Sequence, residues 1–201
     1  MAGILAKKLE MTRVVKGDAF IPVTLLEVPQ LKVVGMKNLK SDGYEALIVG
    51  VLVSEEGGKL GKGKTTLNKS DFTSIREFPL HEGDSEKYKV GDDLTLDSLE
   101  GIESVKIIAF SKGKGFTGAM KKHNFHGGPG GHGSKFHRAL GSIGNRKPTK
   151  VHKGKKMHGH HGNTKVNLRS VPVELINKEL GVIGVRGPVP GGRNTMVDII
   201  F

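Results

Sequence analysis

The chain has 201 residues and a net charge of +12, from 32 Lys and Arg against 20 Asp and Glu, and it contains no Cys. Without cysteine, disulfides and thiolate metal sites are excluded, and a reducing cytoplasmic compartment is the expectation. The opening MAGILAKKLEM lacks the apolar run of a secretory signal, and the longest apolar run, Leu47 to Val53, is far short of the roughly 20 residues that span a bilayer.

The first 110 residues read as β structure. FIPVTLLEV (Phe20 to Val28), LKVVGM (Leu31 to Met36) and EALIVGVLV (Glu45 to Val53) are rich in β-branched residues and bounded by Gly, Pro or Asp. DLTL (Asp93 to Leu96) and ESVKIIAF (Glu103 to Phe110) continue the pattern. Further on come KVNLRSVPVELI (Lys165 to Ile176), GVIGVRG (Gly181 to Gly187) and TMVDIIF (Thr195 to Phe201), with Asn177-Lys178-Glu179 placed as a hairpin connection. No window shows a sustained helical period. Short helical turns are expected near Ser70 to Glu77 and after Ser111. Short strands separated by turn signals predict a mainly β fold, a small closed barrel that hides its own edges.

Charge is segregated along the chain. From Ser111 to Arg169 there are 14 Lys or Arg and no Asp or Glu, so the remaining residues are close to neutral. The same stretch has 13 Gly and eight of the nine His. Its apolar residues, among them Phe116, Met120, Phe125 and Phe136, are scattered singly and cannot enclose a core, so the segment needs a partner to offset its ordering entropy. A polyanion is the partner its charge selects. The expected organisation is a globular barrel over residues 1–110 and 166–201, with an inserted, mostly irregular arm over 111–165.

Two glycine motifs resemble nucleotide sites. GKLGKGKT (Gly58 to Thr65) satisfies a phosphate-loop pattern, but Glu55 and Glu56 precede it and no amphipathic helix follows, so the motif lacks its helix N-terminus. GKGFTG (Gly113 to Gly118) lacks the downstream acid that would hold a ribose, since no acid appears until Glu174. Its glycines are better suited to close approach of backbone to phosphate. His158, His160 and His161 are the tightest histidine group, but no carboxylate stands near them to orient a metal ligand. Ser111, Ser134 and Ser142 have neighbouring His and no third group. No enzyme activity, metal, cofactor or small-molecule substrate is expected.

The candidate contacts to RNA are therefore the arm's cations and imidazoles. They comprise Lys112, Lys114, Lys121, Lys122, His123, His132, Lys135, His137 and Arg138. A denser second group follows: Arg146, Lys147, Lys150, Lys153, Lys155, Lys156, His158, His160, Lys165 and Arg169. Lysine supplies point charges for phosphates and arginine a flat fork that also stacks. The aromatics are too few for a sheet that reads single strands, so the pattern predicts recognition of RNA by backbone and shape.

Five blocks in order resemble a known family. GILAKKLEMTRVV with IPVTLLEV resembles its opening strands, and SKGKGFTGAMKK (Ser111 to Lys122) its signature. HGSKFHRALGSIG (His132 to Gly144) and KGKKMHGHHGN (Lys153 to Asn163) resemble two blocks of its extension, and VRGPVPGG (Val185 to Gly192) its closing turn. The family is the universal ribosomal protein L3 of the large subunit, in its bacterial form. The resemblance implies a barrel related to those of translation factors, and an extension that penetrates 23S-type rRNA toward the peptidyl transferase centre. It also implies early binding during subunit assembly, contacts with neighbouring ribosomal proteins and a cytoplasmic, ribosomal location. By the same resemblance the SKGKG, HGSKFHR and KGKKM blocks carry the rRNA contacts. Two departures stand out: the loop over 54–76 is shorter than usual, and the only Gln, Gln30, lies outside the arm in which some relatives carry a methylated Gln.

Overall fold

A computed structural model describes residues 3–53, 71–80 and 87–201. The phosphate-loop-like Gly58 to Thr65 and most of the 54–76 loop lie outside these residues. The chain divides into two compact units, Met1–Phe110 with Lys165–Phe201, and Ser111–Thr164.

In the first unit six strands close into a barrel. They are β1 (Gly3–Lys16), β2 (Ala19–Glu27), β7 (Ser104–Phe110), β10 (Lys165–Asn177), β11 (Val182–Arg186) and β12 (Met196–Ile200). The hydrogen-bonded order β1-β12-β7-β10-β11-β2 returns to β1, and every pairing is antiparallel. Two-residue alternation sets the interior: Val105, Ile107 and Ala109 of β7 are buried while Ser104 and Phe110 face out. A second sheet, in the order β5-β4-β3-β6, is formed by β3 (Leu31–Lys37), β4 (Ala46–Leu52), β5 (Phe72–Pro79) and β6 (Asp93–Leu94). Its Leu31, Val33, Leu47, Val49 and Phe78 join Ile4, Leu5, Leu26, Ile107, Ile183 and Ile199 of the barrel in one apolar core.

Two sequence expectations are corrected. Phe72 to Glu77, expected within a helical turn, is strand: it belongs to β5, paired along β4 from Leu52↔Phe72 to Ala46↔Pro79, while Ser70 lies outside the described residues. Buried Phe72 and Phe78 pack on the strand's inner face, and that tertiary contact outweighs the local preference of Ser, Thr and Asp for turns. DLTL is strand only at Asp93–Leu94, after which a 3-10 turn, Leu96–Leu99, buries both of its leucines. The resemblance, though not the residue pattern, places a strand before Phe20, and β1 spans Gly3–Lys16. Its polar second half is exposed, so apolar alternation fades there and a hairpin with β2, from Lys16↔Ala19 to Lys7↔Glu27, keeps it extended.

The closing turn is tied to β1. The Lys8 ammonium donates to the carbonyls of Val189 (2.6 Å) and Gly191 (3.2 Å), and the Asn194 amide donates to the Lys8 carbonyl at 2.7 Å. The buried Thr24 hydroxyl donates to the Gly187 carbonyl at 2.6 Å, which satisfies a polar group in the barrel wall.

Candidate nucleic-acid interface

The second unit, Ser111–Thr164, is closed at its base. The Ser111 amide donates to the Thr164 carbonyl at 3.0 Å, and the Thr164 amide donates to the Ser111 hydroxyl at 3.1 Å. Just inside this base, β8 (Gly115–Thr117) pairs with β9 (Gly159–His161) in the register Gly115↔His161, Phe116↔His160, Thr117↔Gly159. The helix α2 (Ala119–His123) follows at once and ends at Asn124 in the left-handed conformation, φ 57°. A helical turn after Ser111 is thus present, but its five residues are too short to make GKGFTG a dinucleotide motif.

Alternation along the ribbon separates two faces. On one, Phe116 is 76% exposed, His160 lies opposite it, and the His158 ring stands 5.5 Å from the Phe116 ring. On the other are Thr117, Gly159 and His161. His160 and His161 therefore point to opposite sides, so the histidine group singled out by spacing does not converge. Among the described residues no group of three His, Asp or Glu side chains is arranged to hold a metal ion.

Beyond the ribbon the arm is loop, held by backbone contacts that only glycine permits. The Gly128 amide donates to the His137 carbonyl at 3.0 Å, and a Cβ at Gly128 would lie 1.9 Å from the Phe136 carbonyl oxygen. His137 Nδ1 is 3.0 Å from the Pro129 carbonyl, so GGPGGHG and SKFHR fold against each other. At the ribbon's end Gly162, φ 78°, leaves no room for a Cβ, which would sit 2.1 Å from the Lys112 carbonyl oxygen.

The candidate contact residues fall into four groups. Lys112, Lys114, Lys121, Lys122 and His123 cluster around the ribbon and α2. Lys122 and His123 are half-buried, and His123 Nε2 is 3.0 Å from the Met157 carbonyl. His132, Lys135, His137 and Arg138 lie exposed on the glycine loop, and Arg146, Lys147, Lys150, Lys153, Lys155, Lys156, His158 and His160 are exposed on the return path. Lys165 and Arg169, also exposed, stand on β10 of the barrel unit rather than on the arm. With no acid between Ser111 and Thr164, the arm's cations have no carboxylate within their own unit.

Sequence reasoning passed over Thr117 and singled out His161 only as one of a histidine group, not as a contact residue. Thr117 is 7% exposed and His161 half-buried, and neither the Thr117 hydroxyl nor His161 Nδ1 has a hydrogen-bond partner among the described residues. No spacing rule marks their burial, because only the β8–β9 register produces it. Burial, and then electrostatic repulsion from the neighbouring Lys114, Lys122, Lys121 and His123, hold His161 below the usual histidine range.

In the barrel unit several acids meet cations. Asp97 and Glu100 share Lys178, with Asp97 at 2.6 Å. Asp93 pairs with Lys32 at 3.5 Å, and Glu174 lies 3.2 Å from Lys16. A concavity of about 410 Å³ beside Gln30, Leu52 and Thr95 has Asp93 as its only acid among the described residues. Among the described residues no helix is long and apolar enough to cross a membrane.

A mainly β barrel bearing an exposed, acid-free cationic insert has the build of an RNA-associated structural protein. The profile described as ribosomal protein L3 matches residues 92–181. The chain is 38% identical to the large ribosomal subunit protein uL3 of Thermosipho melanesiensis, over 98% of this chain and 96% of that one. It is 40% identical to its counterpart in Borrelia hermsii (98% and 95%) and 40% identical to that of Petrotoga mobilis (99% and 94%). The chain belongs to the ribosomal protein L3 family. It is thus a protein of the large ribosomal subunit, of a structural and non-enzymatic kind.

Proposed function

We propose that this protein binds 23S-type rRNA directly through its arm, supports early assembly of the large subunit in the cytoplasm, and extends toward the peptidyl transferase centre. The barrel, related in this reading to those of translation factors, meets neighbouring ribosomal proteins. The observation that carries the reading is charge segregation: 14 cations and no acid between Ser111 and Arg169, most of them exposed on an irregular arm with little core. Solvated surfaces mix signs, whereas a stretch of one sign is suited to a polyphosphate. The 19 candidate residues named above act as phosphate and sugar contacts, and glycines such as Gly128 and Gly162 allow close backbone approach.

Deletion tests this directly. Phe110 and Lys165 are ladder partners in the barrel, so a two-residue turn can join them after Ser111–Thr164 is removed. The shortened chain is expected to keep a cooperative β-sheet melt and to lose affinity for a 23S rRNA transcript. Undiminished affinity would remove the arm from the mechanism. For the full chain, log affinity should fall with log salt by roughly 0.7 to 0.9 per phosphate neutralised. Saturable binding of labelled ATP would favour instead a nucleotide site at Gly58 to Thr65.

A further inference from the structure

The most unusual polar group in the arm is one that avoids charge. His161 sits on β9, opposite Gly115 and on the ribbon face that also carries Thr117. Its Nδ1 is buried and has no hydrogen-bond partner among the described residues. The charged groups that face it are Lys114, ahead of β8, and Lys121, Lys122 and His123 on α2. The neighbouring Thr117 hydroxyl is buried and equally without a partner, and among the described residues no acceptor lies within hydrogen-bond reach of Nδ1 to take a second ring proton.

Protonating this ring would place an N–H on Nδ1, with no acceptor in reach and three lysines nearby. Both terms oppose it: an unsatisfied buried donor is costly, and like charges disfavour the cation. The neutral ring then has two tautomers. Placing the hydrogen on Nδ1 buries an unsatisfied donor, whereas placing it on Nε2 leaves only a lone pair unmet, the milder of the two defects.

We propose that His161 is a neutral Nε2–H donor, fixed by the β8–β9 ribbon, that binds a phosphate oxygen of RNA at the centre of the Lys114–Lys121–Lys122 cluster. The inference rests on the RNA-binding reading above and adds a residue outside the 19 named contacts. The surrounding lysines draw phosphates to this spot through long, mobile side chains. The imidazole is short and held by a strand, so it fixes where one oxygen docks. A donor without charge releases no counterion, so its contribution to affinity does not depend on salt.

Two measurements test this with the full-length chain. In the first, long-range proton–nitrogen NMR of the free, histidine-labelled protein reports the ring directly. His161 should be in the Nε2–H form and remain neutral as the pH is lowered through about 6.5, the ordinary midpoint of an imidazole. A ring that becomes cationic there, or that carries its hydrogen on Nδ1, overturns the proposal whether or not RNA binds.

The second measurement uses a 23S rRNA transcript across a salt series. His161→Gln keeps a neutral donor near the Nε2 position and should hold affinity within about 2-fold. His161→Phe keeps the ring shape and should lose roughly 3- to 10-fold, the worth of one neutral hydrogen bond. All three salt slopes should coincide. A slope lowered by about 0.7 to 0.9 in either variant would mark a charged contact and overturn the proposal, as would a His161→Phe affinity equal to that of the parent chain. If the parent chain itself fails to bind the transcript, the RNA-binding reading fails, and the NMR result still decides the state of the ring.

Discussion

Single positions in this chain are constrained by contacts that only a backbone register creates. A Cβ at Gly3 would lie 2.1 Å from the ring of Phe78, which is buried at 2% exposure. Gly3→Ala should therefore destabilise the barrel unit by about 1–3 kcal/mol, the usual cost of overpacking, visible as a lower thermal midpoint with rRNA affinity unchanged below it. Gly162→Ala is expected to show the reverse. Its φ of 78° and the nearby Lys112 carbonyl make the loss local to the ribbon. Binding to rRNA should weaken, at a strain of about 1–3 kcal/mol, while the barrel's melt stays where it was. Asp198 gives a prediction about pH. Burial raises its carboxyl above the ordinary 3.8 more than Arg76 and Lys165 lower it. A raised carboxyl favours the folded state when protonated, so its contribution is present at low pH and is lost as pH rises through its folded-state value. Asp198→Asn should accordingly melt higher relative to the parent at about pH 7 than at about pH 4. An equal gap at both would show that Asp198 is not penalised.

At the scale of elements, burial decided whether the sequence was legible. β7 and β11 were readable because their apolar residues meet a core: Val105, Ile107 and Ala109 on one, Ile183 to Val185 on the other. β5 was misread because its exposed residues, Thr73, Arg76 and Glu77, carry turn- and helix-forming preferences. Only the β4 ladder and the burial of Phe72 and Phe78 make it a strand. That argument predicts the effect of Phe78→Ala. Truncating a fully buried ring should cost about 3–5 kcal/mol, and in amide exchange β4 and β5 should lose protection before β7 and β10 do. Equal loss everywhere would mean that the second sheet and the barrel open as one unit. In the arm the residue types were read as RNA-facing chemistry, but β8 and β9 are three residues each and fall below any periodic signal. The burial of Thr117 and His161 stayed invisible for that reason.

For the whole molecule, two kinds of stability are expected side by side. The barrel unit has a continuous apolar core running from Ile4 to Ile200. The arm between Gly141 and Lys156 is exposed throughout, and its backbone bonds, such as that from the Lys155 amide to the His152 carbonyl at 3.2 Å, span single turns. In the free protein, amides of residues 141–156 should exchange far faster than those of β7 and β10, because local opening there exposes little apolar surface. Binding to rRNA should slow them. Protection already at the barrel's level in the free chain would show that the arm needs no partner to order it.

What the sequence determined by itself was composition along a line: a near-neutral stretch with strand-like alternation, and an acid-free cationic stretch with glycine at its turns. Those two facts are local, and they suffice for a mainly β fold, for the polyanion partner and, through five ordered blocks, for the family resemblance. Tertiary structure alone decided what depends on contacts between distant positions. It closed six strands from both ends of the chain into a ring, turned Phe72–Pro79 into a strand, and put Lys165 and Arg169 on the barrel. It also paired Gly115–Thr117 with Gly159–His161 across more than 40 intervening residues. Burial and register are properties of such pairings, and so the enclosed setting of His161 could be found only there.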